Sequence, residues 1–311
     1  MQQDFKYIYQ VYLDGSFSKA SENLYLTQPA LSIAIQKIES SIGMAIFDRS
    51  KRPLKLTPAG EIYIGAIKKM MDLERDLDQE IHDIRNLGSG TIRLGGSHYL
   101  NGYILPKILA GFSREYPGIQ FEIVEESSDV LSGMLAERKI DLTFSCNPAF
   151  MKNFERYKAF YDHILLAVPQ AHPVNRSVPD AALTPQDVLE NKHLEPSCPL
   201  VPLEQFRDLE YILLTPGNNL YDRAQSFFAE AGFEPVVKLQ LSQLATAYHL
   251  ASSEFAATFI SDRMIQSRDV PLLFYKINSG LAKRLFYILL PNRNYTSHAV
   301  KRFIQYFLVN F

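Results

Sequence analysis

The sequence predicts an α/β protein in which a small helical head is joined by a long helix to a larger body of strands and helices. Three observations predict this arrangement. Two short helical patterns, followed by two apolar runs around a basic turn, occupy residues 15–60. Apolar residues at spacings of three and four run through residues 62–87. From residue 91 onward, segments of strand length alternate with helical patterns, which is typical of a parallel sheet.

The first element of the head is a pair of short helices. Ser18 is a candidate N-cap, and Ala20 and Leu24 would share one face of the helix that follows it. After a tight connection, Thr27 can cap a second helix. Pro29 fits the first turn of this second helix because its missing N–H would have had no partner there.

The second helix separates an apolar face from a polar one. Leu31, Ile35 and Ile38 recur at spacings of four and three and would face inward. The outward residues are small or polar, as suits a helix that lies against base edges: Gln28, Ala30, Ser32, Gln36 and Lys37. This pattern indicates the recognition helix of a helix-turn-helix, with an ordinary amphipathic helix pair as the alternative.

A β-hairpin wing is predicted to follow the helix pair. Gly43 would end the second helix, and two short apolar runs then flank a basic turn. The turn carries Arg49, Lys51, Arg52 and Lys55. Beside a recognition helix, such a turn can neutralise phosphates and supply affinity that does not depend on base sequence.

Residues 1–60 resemble the winged helix-turn-helix of the LysR-type transcriptional regulators. The matching positions are Ser16, Phe17, Ala20, Leu24, Thr27, Gln28, Pro29, Ala30, Leu31, Ser32, Ile38, Glu39, Gly43, Ile46, Phe47, Arg49 and residues 56–60. The resemblance implies base recognition by Gln28, Pro29, Ala30, Ser32 and Gln36, and phosphate contact by Thr27, Lys37, Arg49, Lys51 and Arg52. Many members have an Arg or Gln pair where this chain has Ile33 and Ala34, so the family's base contacts do not transfer to those two positions.

A long linker helix is predicted from Thr57 and Pro58 to about residue 88. Its apolar stripe approximates a heptad seam formed by Ile62, Ala66, Met70, Leu73, Leu77, Ile81 and Ile84. Residues 57–88 also carry seven acidic and four basic side chains, as expected of a helix that is otherwise exposed to water. The stripe could pack on the body of the same chain, but the resemblance favours a homodimer. It implies a dimer of dimers on a pseudo-palindromic double-stranded DNA operator, with RNA polymerase as a further candidate partner.

The body is predicted to alternate strands and helices along its length. Strands are expected at 91–95, 120–124, 141–145, 162–169, 209–215, 236–239, 255–260 and 285–290, and helices at 104–116, 130–137, 221–232, 244–252 and 296–308. Residues that match the effector domain of the same family include Leu105, Pro106, Phe112, Tyr116, Pro117, Leu135, Ile140, Asp141 and Leu142. The resemblance implies a two-lobed, periplasmic-binding-protein-like effector domain.

The predicted boundaries follow from these elements. The winged helix-turn-helix would span residues 1–57, the linker helix 58–90 and the effector domain 91–311. Within the effector domain, lobe I would comprise residues 91–161 and 268–311, and lobe II residues 162–267.

Ligands of open α/β lobes bind at the carboxyl ends of the strands, where helix N-termini present free N–H groups. The candidate effector-binding residues at these ends are Ser97, His98, Tyr99, Ser127, Ser128, Cys146, Asn147, Thr215, Asn218, Asn219, Gln243 and Thr246. All are neutral except His98, and such a lining suits a small organic anion such as a carboxylate. Each Ser, Thr or Asn could also be a simple helix cap.

Composition limits the other function classes. The net charge is −2, but residues 1–56 carry seven Lys or Arg against five Asp or Glu. No apolar run has the length of a membrane span and no secretory signal is recognisable, so a cytoplasmic location is expected. The two cysteines, Cys146 and Cys198, form neither a metal cluster nor a disulfide framework. We expect no metal site and no cofactor, and the absence of catalytic motifs predicts that the protein is not an enzyme.

The predicted function is sequence-specific transcriptional regulation controlled by a small-molecule effector bound between the two lobes. A redox-sensing regulator that uses Cys146 and Cys198 is one alternative. A small-molecule binding protein without a regulatory role is the alternative from another class.

Overall fold

The computed structural model describes residues 3–51, 53–85, 89–292 and 295–311. The chain folds into two compact units. The first comprises residues 1–87 with 293–297, and the second comprises residues 88–292 with 298–311.

The first unit contains the predicted helix pair, hairpin and long helix, together with a further helix at its start. Its elements are α1 (Gln3–Asp14), α2 (Phe17–Asn23), α3 (Gln28–Ile42), β1 (Phe47–Asp48), β2 (Lys55–Leu56) and α4 (Pro58–Arg85). α1 was not predicted from the sequence. Ile8 and Val11 of this helix are fully buried and belong to the same apolar cluster as Leu31 and Ile35 of α3. The head therefore has a three-helix core.

Helix caps set the geometry of the turn between α2 and α3. Thr27 caps α3 as predicted, because its hydroxyl accepts a hydrogen bond from the backbone N–H of Ala30 at 3.4 Å. The prediction that Ser18 caps α2 is wrong. The extended backbone of an N-cap is found at Ser16, with φ −156° and ψ 131°, so Ser18 lies inside the helix. Gly43 ends α3 in the left-handed conformation at φ 70°.

The predicted hairpin is present and is packed closely against the start of α4. β1 and β2 are antiparallel, and Phe47 pairs with Leu56. A Cβ atom at Gly60 of α4 would lie 2.1 Å from the carbonyl oxygen of Ile46, just before β1. Only glycine allows α4 to approach the backbone of the wing at this distance.

The second unit is an α/β body. Its strands are β3 (Gly90–Gly96), β4 (Ile119–Glu125), β5 (Leu142–Ser145), β6 (Phe154–Pro169), β7 (Glu210–Leu214), β8 (Val236–Leu241), β9 (Ala257–Ser261), β10 (Leu272–Lys276) and β11 (Lys283–Pro291). Its α-helices are α5 (Leu105–Glu115), α6 (Ser128–Ala136), α7 (Pro185–Leu189), α8 (Asn219–Ala231), α9 (Leu244–Ser252) and α10 (His298–Asn310).

These strands form a mixed sheet in the order β4-β3-β5-β11-β6-β9-β7-β8, with β10 paired to β6. β3 is parallel to β4 and β5, and β7 is parallel to β8 and β9, whereas β6, β10 and β11 pair antiparallel. The prediction of a purely parallel sheet is therefore wrong for the connecting strands. We call β3, β4, β5 and β11 the first half of the sheet, and β7, β8, β9 and β10 the second half.

β6 belongs to both halves of the sheet. Residues 154–163 pair with β11, and residues 164–169 pair with β9 and β10. The expected strand start at residue 162 falls inside this single strand of 16 residues. The two halves are therefore joined through continuous backbone.

Buried aromatic and aliphatic side chains form the core of the second unit. In the first half, Phe112 of α5 contacts Phe303 of α10, with ring centroids 5.3 Å apart. In the second half, Tyr211 of β7 packs on Phe228 of α8 at 4.9 Å. Over the part of the chain that the structure describes, no helix combines the length and apolar character needed to cross a membrane.

Candidate functional site

α3 presents one buried face and one open face. Leu31 and Ile35 are fully buried and Ile38 is 8% exposed, so the predicted inward face is correct. The opposite face is open to solvent. Its exposed residues are Gln28, Pro29, Ala30, Ile33, Gln36 and Lys37, and Ser32 is half-buried.

The wing is tied to α3 through a carboxylate that the sequence analysis did not assign. Glu39 accepts hydrogen bonds from the backbone N–H of Ile46 at 2.8 Å and from the Arg49 guanidinium at 3.0 Å. The guanidinium also lies 3.5 Å from the Ser32 hydroxyl and 4.9 Å from the ring centroid of Phe17. Arg49 therefore joins the wing to the open face of α3, and this contact fixes their relative orientation.

Lys51 is exposed at the hairpin tip, beside Asp48. Hydrogen bonds from Ser50 hold the pKa of Asp48 below its usual range. Arg52, a predicted phosphate contact, lies outside the described residues.

The predicted dimerisation stripe on α4 is open to solvent. Ile62 is 77% exposed, and Ile84 at the other end is 71% exposed. Between them, Met70, Leu73, Leu77 and Ile81 are all exposed, and Ala66 is half-buried. Within the first unit, no described residue covers the stripe.

Some of the predicted effector residues lie where the two halves of the sheet meet. His98 and Gln243 bridge the halves. The His98 Nδ1–H donates to Glu125 Oε1 at 2.6 Å, so its Nε2 can accept from the side-chain amide of Gln243 at 3.2 Å. The Thr246 hydroxyl donates to the side-chain oxygen of Gln243 at 3.5 Å. The two nitrogens of His98 are thus both engaged.

Tyr99 differs from its expected role, because its hydroxyl points into a buried polar network. Tyr99 is only 9% exposed. Its hydroxyl donates to Asp162 Oδ2 at 3.0 Å and lies 2.8 Å from the Ser261 hydroxyl. Arg284 donates to Asp162 Oδ1 at 2.7 Å. Burial opposes the charge of Arg284, but the Asp162 carboxylate outweighs burial and raises its pKa. This network lies where β6 passes from one half of the sheet to the other.

A second bridge between the halves joins Cys146 to α8. The Cys146 thiol donates to the side-chain oxygen of Asn219 at 3.2 Å, and Arg223 Nε donates to the same oxygen at 3.0 Å. Arg223 also donates to the carbonyl of Leu281. Among the described residues, the acceptors of this half-buried guanidinium are neutral oxygens, and the Asp162 carboxylate acts on it only from beyond ion-pair distance. Burial lowers its pKa.

Several of the other predicted effector residues act as helix caps. Ser127 accepts from the backbone N–H of Val130 at 3.4 Å, and Asn218 accepts from Leu220 at 2.9 Å. Asn147 accepts from Ala149 at 3.0 Å. Ser97, Ser128 and Thr215 are half-buried at their strand or helix ends.

A cluster of two imidazoles and one carboxylate was not predicted. His193 Nε2–H donates to Asp262 Oδ2 at 3.0 Å, and His163 Nδ1 lies 3.4 Å from the same oxygen. These three side chains could ligate a metal ion, but the hydrogen bonds between them already account for their geometry. A histidine that ligates a metal through Nε2 donates its Nδ1–H to an acceptor. The buried Nδ1 of His193 has no such acceptor among the described residues. Burial would raise the pKa of Asp262, but hydrogen bonds from both imidazoles outweigh burial and lower it.

The cysteines show none of the features of redox sensors. Cys146 is 9% exposed and Cys198 is half-buried, and burial raises the pKa of both thiols. A sensor thiol needs a lowered pKa and access to oxidant. The structure therefore gives no support to the redox alternative.

A helical head with an open reading face, joined to an α/β body with polar strand ends, defines a DNA-binding regulator with a ligand-binding domain. Residues 2–61 match the family model described as bacterial regulatory helix-turn-helix protein, lysR family. Residues 85–199 and 188–310 match the LysR substrate binding domain. The chain therefore belongs to the LysR family of transcriptional regulators and has a DNA-binding and an effector-binding domain.

Individual relatives are similar over most of the chain. The uncharacterized HTH-type transcriptional regulator YcgK of Bacillus subtilis (strain 168) is 27% identical over 291 residues, 93% of this chain and 88% of the relative. The RuBisCO operon transcriptional regulator of Acidithiobacillus ferrooxidans is 26% identical over 294 residues, with coverage of 94% and 88%. The crystal structure of full-length CbnR complexed with its target DNA has a TM-score of 0.57 at 18% identity, with coverage of 98% and 97%, and therefore shares the fold.

Proposed function

We propose that this regulator works in the cytoplasm, without catalysis, and binds a pseudo-palindromic operator as a homodimer that can pair into a dimer of dimers. α3 reads base edges through Gln28, Pro29, Ala30, Ser32 and Gln36. Thr27, Lys37, Arg49, Lys51 and Arg52 contact phosphates. The exposure of the polar face of α3, opposite a fully buried apolar face, supports these assignments.

The homodimer is proposed to form through α4. An apolar stripe that is exposed along most of a long helix is stabilised when a second copy covers it. A symmetric pair of such helices presents the same surface from each copy. Two heads can then reach successive major grooves on one side of the operator.

The effector is proposed to be a small organic anion bound where the two halves of the sheet meet. The observation that carries this proposal is Arg223, a half-buried cation whose acceptors, among the described residues, are neutral oxygens. A buried charge is stabilised by a counter-charge, and a bound carboxylate would supply one. The capped N-terminus of α8, at Asn218, offers further N–H donors to the same anion.

Control of transcription would follow from linkage between the two binding events. The anion must bind one arrangement of the two halves of the sheet more tightly than another, and operator binding must also differ between these arrangements. The bridges from His98 to Gln243 and from Cys146 to Asn219 each join the two halves, so a change in the arrangement of the halves would alter both hydrogen bonds. RNA polymerase is the partner expected to register the change.

The proposed DNA contacts predict distinct behaviour for wing and helix variants. Lys51→Ala should weaken binding to all duplexes and reduce the slope of log K against log salt by about one unit for each phosphate that the variant no longer neutralises. Gln28→Ala and Gln36→Ala should instead change which sequences are selected from a random duplex library. Lys107→Ala, an exposed lysine on α5, is the control. An unchanged salt slope in Lys51→Ala would show that the wing is wrongly assigned.

The proposed effector class is tested by thermal unfolding of the full chain with a panel of small carboxylic acids, shikimate and benzoate among them. An acid at about 100 times its Kd should stabilise the native state by roughly 2.7 kcal/mol. Arg223→Gln, Ser97→Ala and Ser127→Ala should reduce this shift. Arg207→Gln removes an exposed guanidinium elsewhere in the second half and should keep it. A shift that survives in Arg223→Gln would contradict the proposed counter-charge.

A further inference from the structure

An isoleucine occupies the centre of the open face of α3. Ile33 is 53% exposed, while Leu31 and Ile35 on either side of it in sequence are fully buried. At 3.6 residues per turn, Ile33 lies roughly opposite the buried face. Its neighbours Ala30 and Ala34 are small, and with Ile33 they line an open groove of about 620 Å³. The branched side chain of Ile33 therefore projects from this part of the face.

A single exposed isoleucine needs no explanation on an ordinary protein surface. On a recognition helix the position matters, because residues in the N-terminal part of such a helix contact base edges and Ile33 is the sixth of the 15 residues of α3. Ile33 has no hydrogen-bond donor or acceptor to offer the base edges. A polar base edge that faces Ile33 in the complex would lose its hydrogen bonds to water and gain none from the protein. Binding to such an edge therefore costs free energy.

The major groove presents one apolar group among its polar atoms, the C5 methyl group of thymine. We infer that Ile33 is a specificity-determining residue that contacts a thymine methyl group in each half-site of the operator. The inference rests on the proposed role of α3 as the reading helix. It assigns an A·T pair to the half-site position that faces the middle of α3.

Polar neighbours of Ile33 restrict this preference to a narrow part of the half-site. Gln36 and Lys37 are exposed three and four residues further along the helix. Ser32, the residue immediately before Ile33, lies 3.5 Å from the Arg49 guanidinium of the wing. The apolar contact is therefore flanked by groups that can hydrogen-bond to bases or phosphates.

The test begins with selection of binding sites from a random duplex library by the full chain. Wild-type protein is compared with Ile33→Ala, Ile33→Val, Gln36→Ala and Ile123→Ala. Ile123 lies on β4 in the second unit and is 49% exposed, so it is a matched isoleucine away from α3. Ile33→Ala should lose a preference for thymine at one position of each half-site. Ile33→Val and Ile123→Ala should keep this preference, and thermal unfolding checks that each variant is folded.

The selected operator is then made with deoxyuridine in place of each thymidine in turn, which removes the methyl group and leaves base pairing intact. At one position per half-site, wild-type affinity should fall about fourfold, the equivalent of one buried CH₂ group. In Ile33→Ala the same replacement should have no effect, because the side chain that contacts the methyl group is already absent. Ile123→Ala should show the wild-type decrease. This double-mutant cycle isolates the pairwise contact.

Two results would overturn the inference. If each deoxyuridine costs Ile33→Ala as much as wild type, while Gln36→Ala still changes the selected sequences, α3 reads the operator but Ile33 contacts no methyl group. If neither Gln36→Ala nor Ile33→Ala changes the selected sequences, the proposed reading role of α3 fails as well.

Discussion

At the scale of single residues, ion pairs join elements that are separate in the fold. Glu39 joins Arg49 of the wing to the recognition helix. Asp162 pairs with Arg284, which is more than a hundred residues away in sequence. Both contacts fix elements that must keep a defined orientation for binding.

Asp187 provides a prediction for the pH dependence of stability. Its carboxylate accepts hydrogen bonds from Lys192 at 2.5 Å and from the Thr184 hydroxyl at 2.6 Å. These bonds lower the pKa of Asp187 to about 2. A depressed carboxyl pKa stabilises the folded state above the unfolded pKa, and this stability is lost as the pH falls toward the folded value.

Asp187→Asn should therefore destabilise the protein at pH 7, and the difference from wild type should shrink as the pH falls from about 4 toward 2. Urea unfolding at several pH values gives the free energy of unfolding of both proteins. In a Lys192→Gln background, the effect of Asp187→Asn on this free energy should depend less on pH. A difference that stays constant across the acid range would contradict the assigned hydrogen bonds.

The sequence predicts the local contacts of the candidate site but not the contacts between distant residues. The caps at Thr27, Ser127 and Asn218 follow from local rules, because the capped N–H lies within three residues. Tyr99 and Arg223 depend on contacts between the two halves of the sheet, and local sequence contains no signal for these. The cationic group that best explains an anionic effector was therefore missed.

At the scale of elements, close backbone approach decides where the wing sits on α4. The Cβ of an alanine at position 60 would lie 2.1 Å from the carbonyl oxygen of Ile46. A Cβ at Gly65, further along the same helix, would meet nothing within 4 Å. The two glycines therefore form a matched pair.

Gly60→Ala should destabilise the first unit by more than about 2 kcal/mol and weaken DNA binding, because backbone atoms must move. Gly65→Ala should be neutral or stabilising by up to about 1 kcal/mol, since alanine favours a helix interior. Urea unfolding of both variants gives the two values. Equal effects on stability would contradict the close contact between α4 and the wing.

Most elements could be predicted from hydrophobic periodicity, and the exceptions have identifiable causes. α3 and α9 lie where the spacing of apolar residues places them. α1 was not predicted, although Ile8 and Val11 follow a helical spacing, because the helix-turn-helix motif begins after it. Only residues 162–169 of β6 were predicted as a strand, because the pairing of residues 154–161 with β11 is visible only in the tertiary fold.

At the scale of the whole molecule, the proposed function requires two chains. Leu73 is 56% exposed in the middle of the apolar stripe of α4. A glutamate at this position would place a charge at the centre of the proposed seam, where two copies would bring like charges together. The chain mass is 35.5 kDa, so monomer and dimer are easily separated by light scattering.

Leu73→Glu should therefore convert the dimer to a species of one chain mass and reduce operator affinity by at least tenfold, while thermal unfolding still shows a folded body. Arg75→Glu, about 160° round the helix, introduces the same side chain off the stripe and should leave the dimer intact. Retention of the dimer in Leu73→Glu would show that α4 is not the seam.

The most direct test of the central claim is the affinity of the full chain for its selected operator, measured with and without the carboxylic acid that stabilises it most. Linked sites typically change each other's affinity by about 5- to 150-fold, and the change is reciprocal. We predict a change in this range that is absent in Arg223→Gln and present in Arg207→Gln. An operator affinity that stays the same while the acid is bound would contradict the claim that a bound anion controls DNA binding.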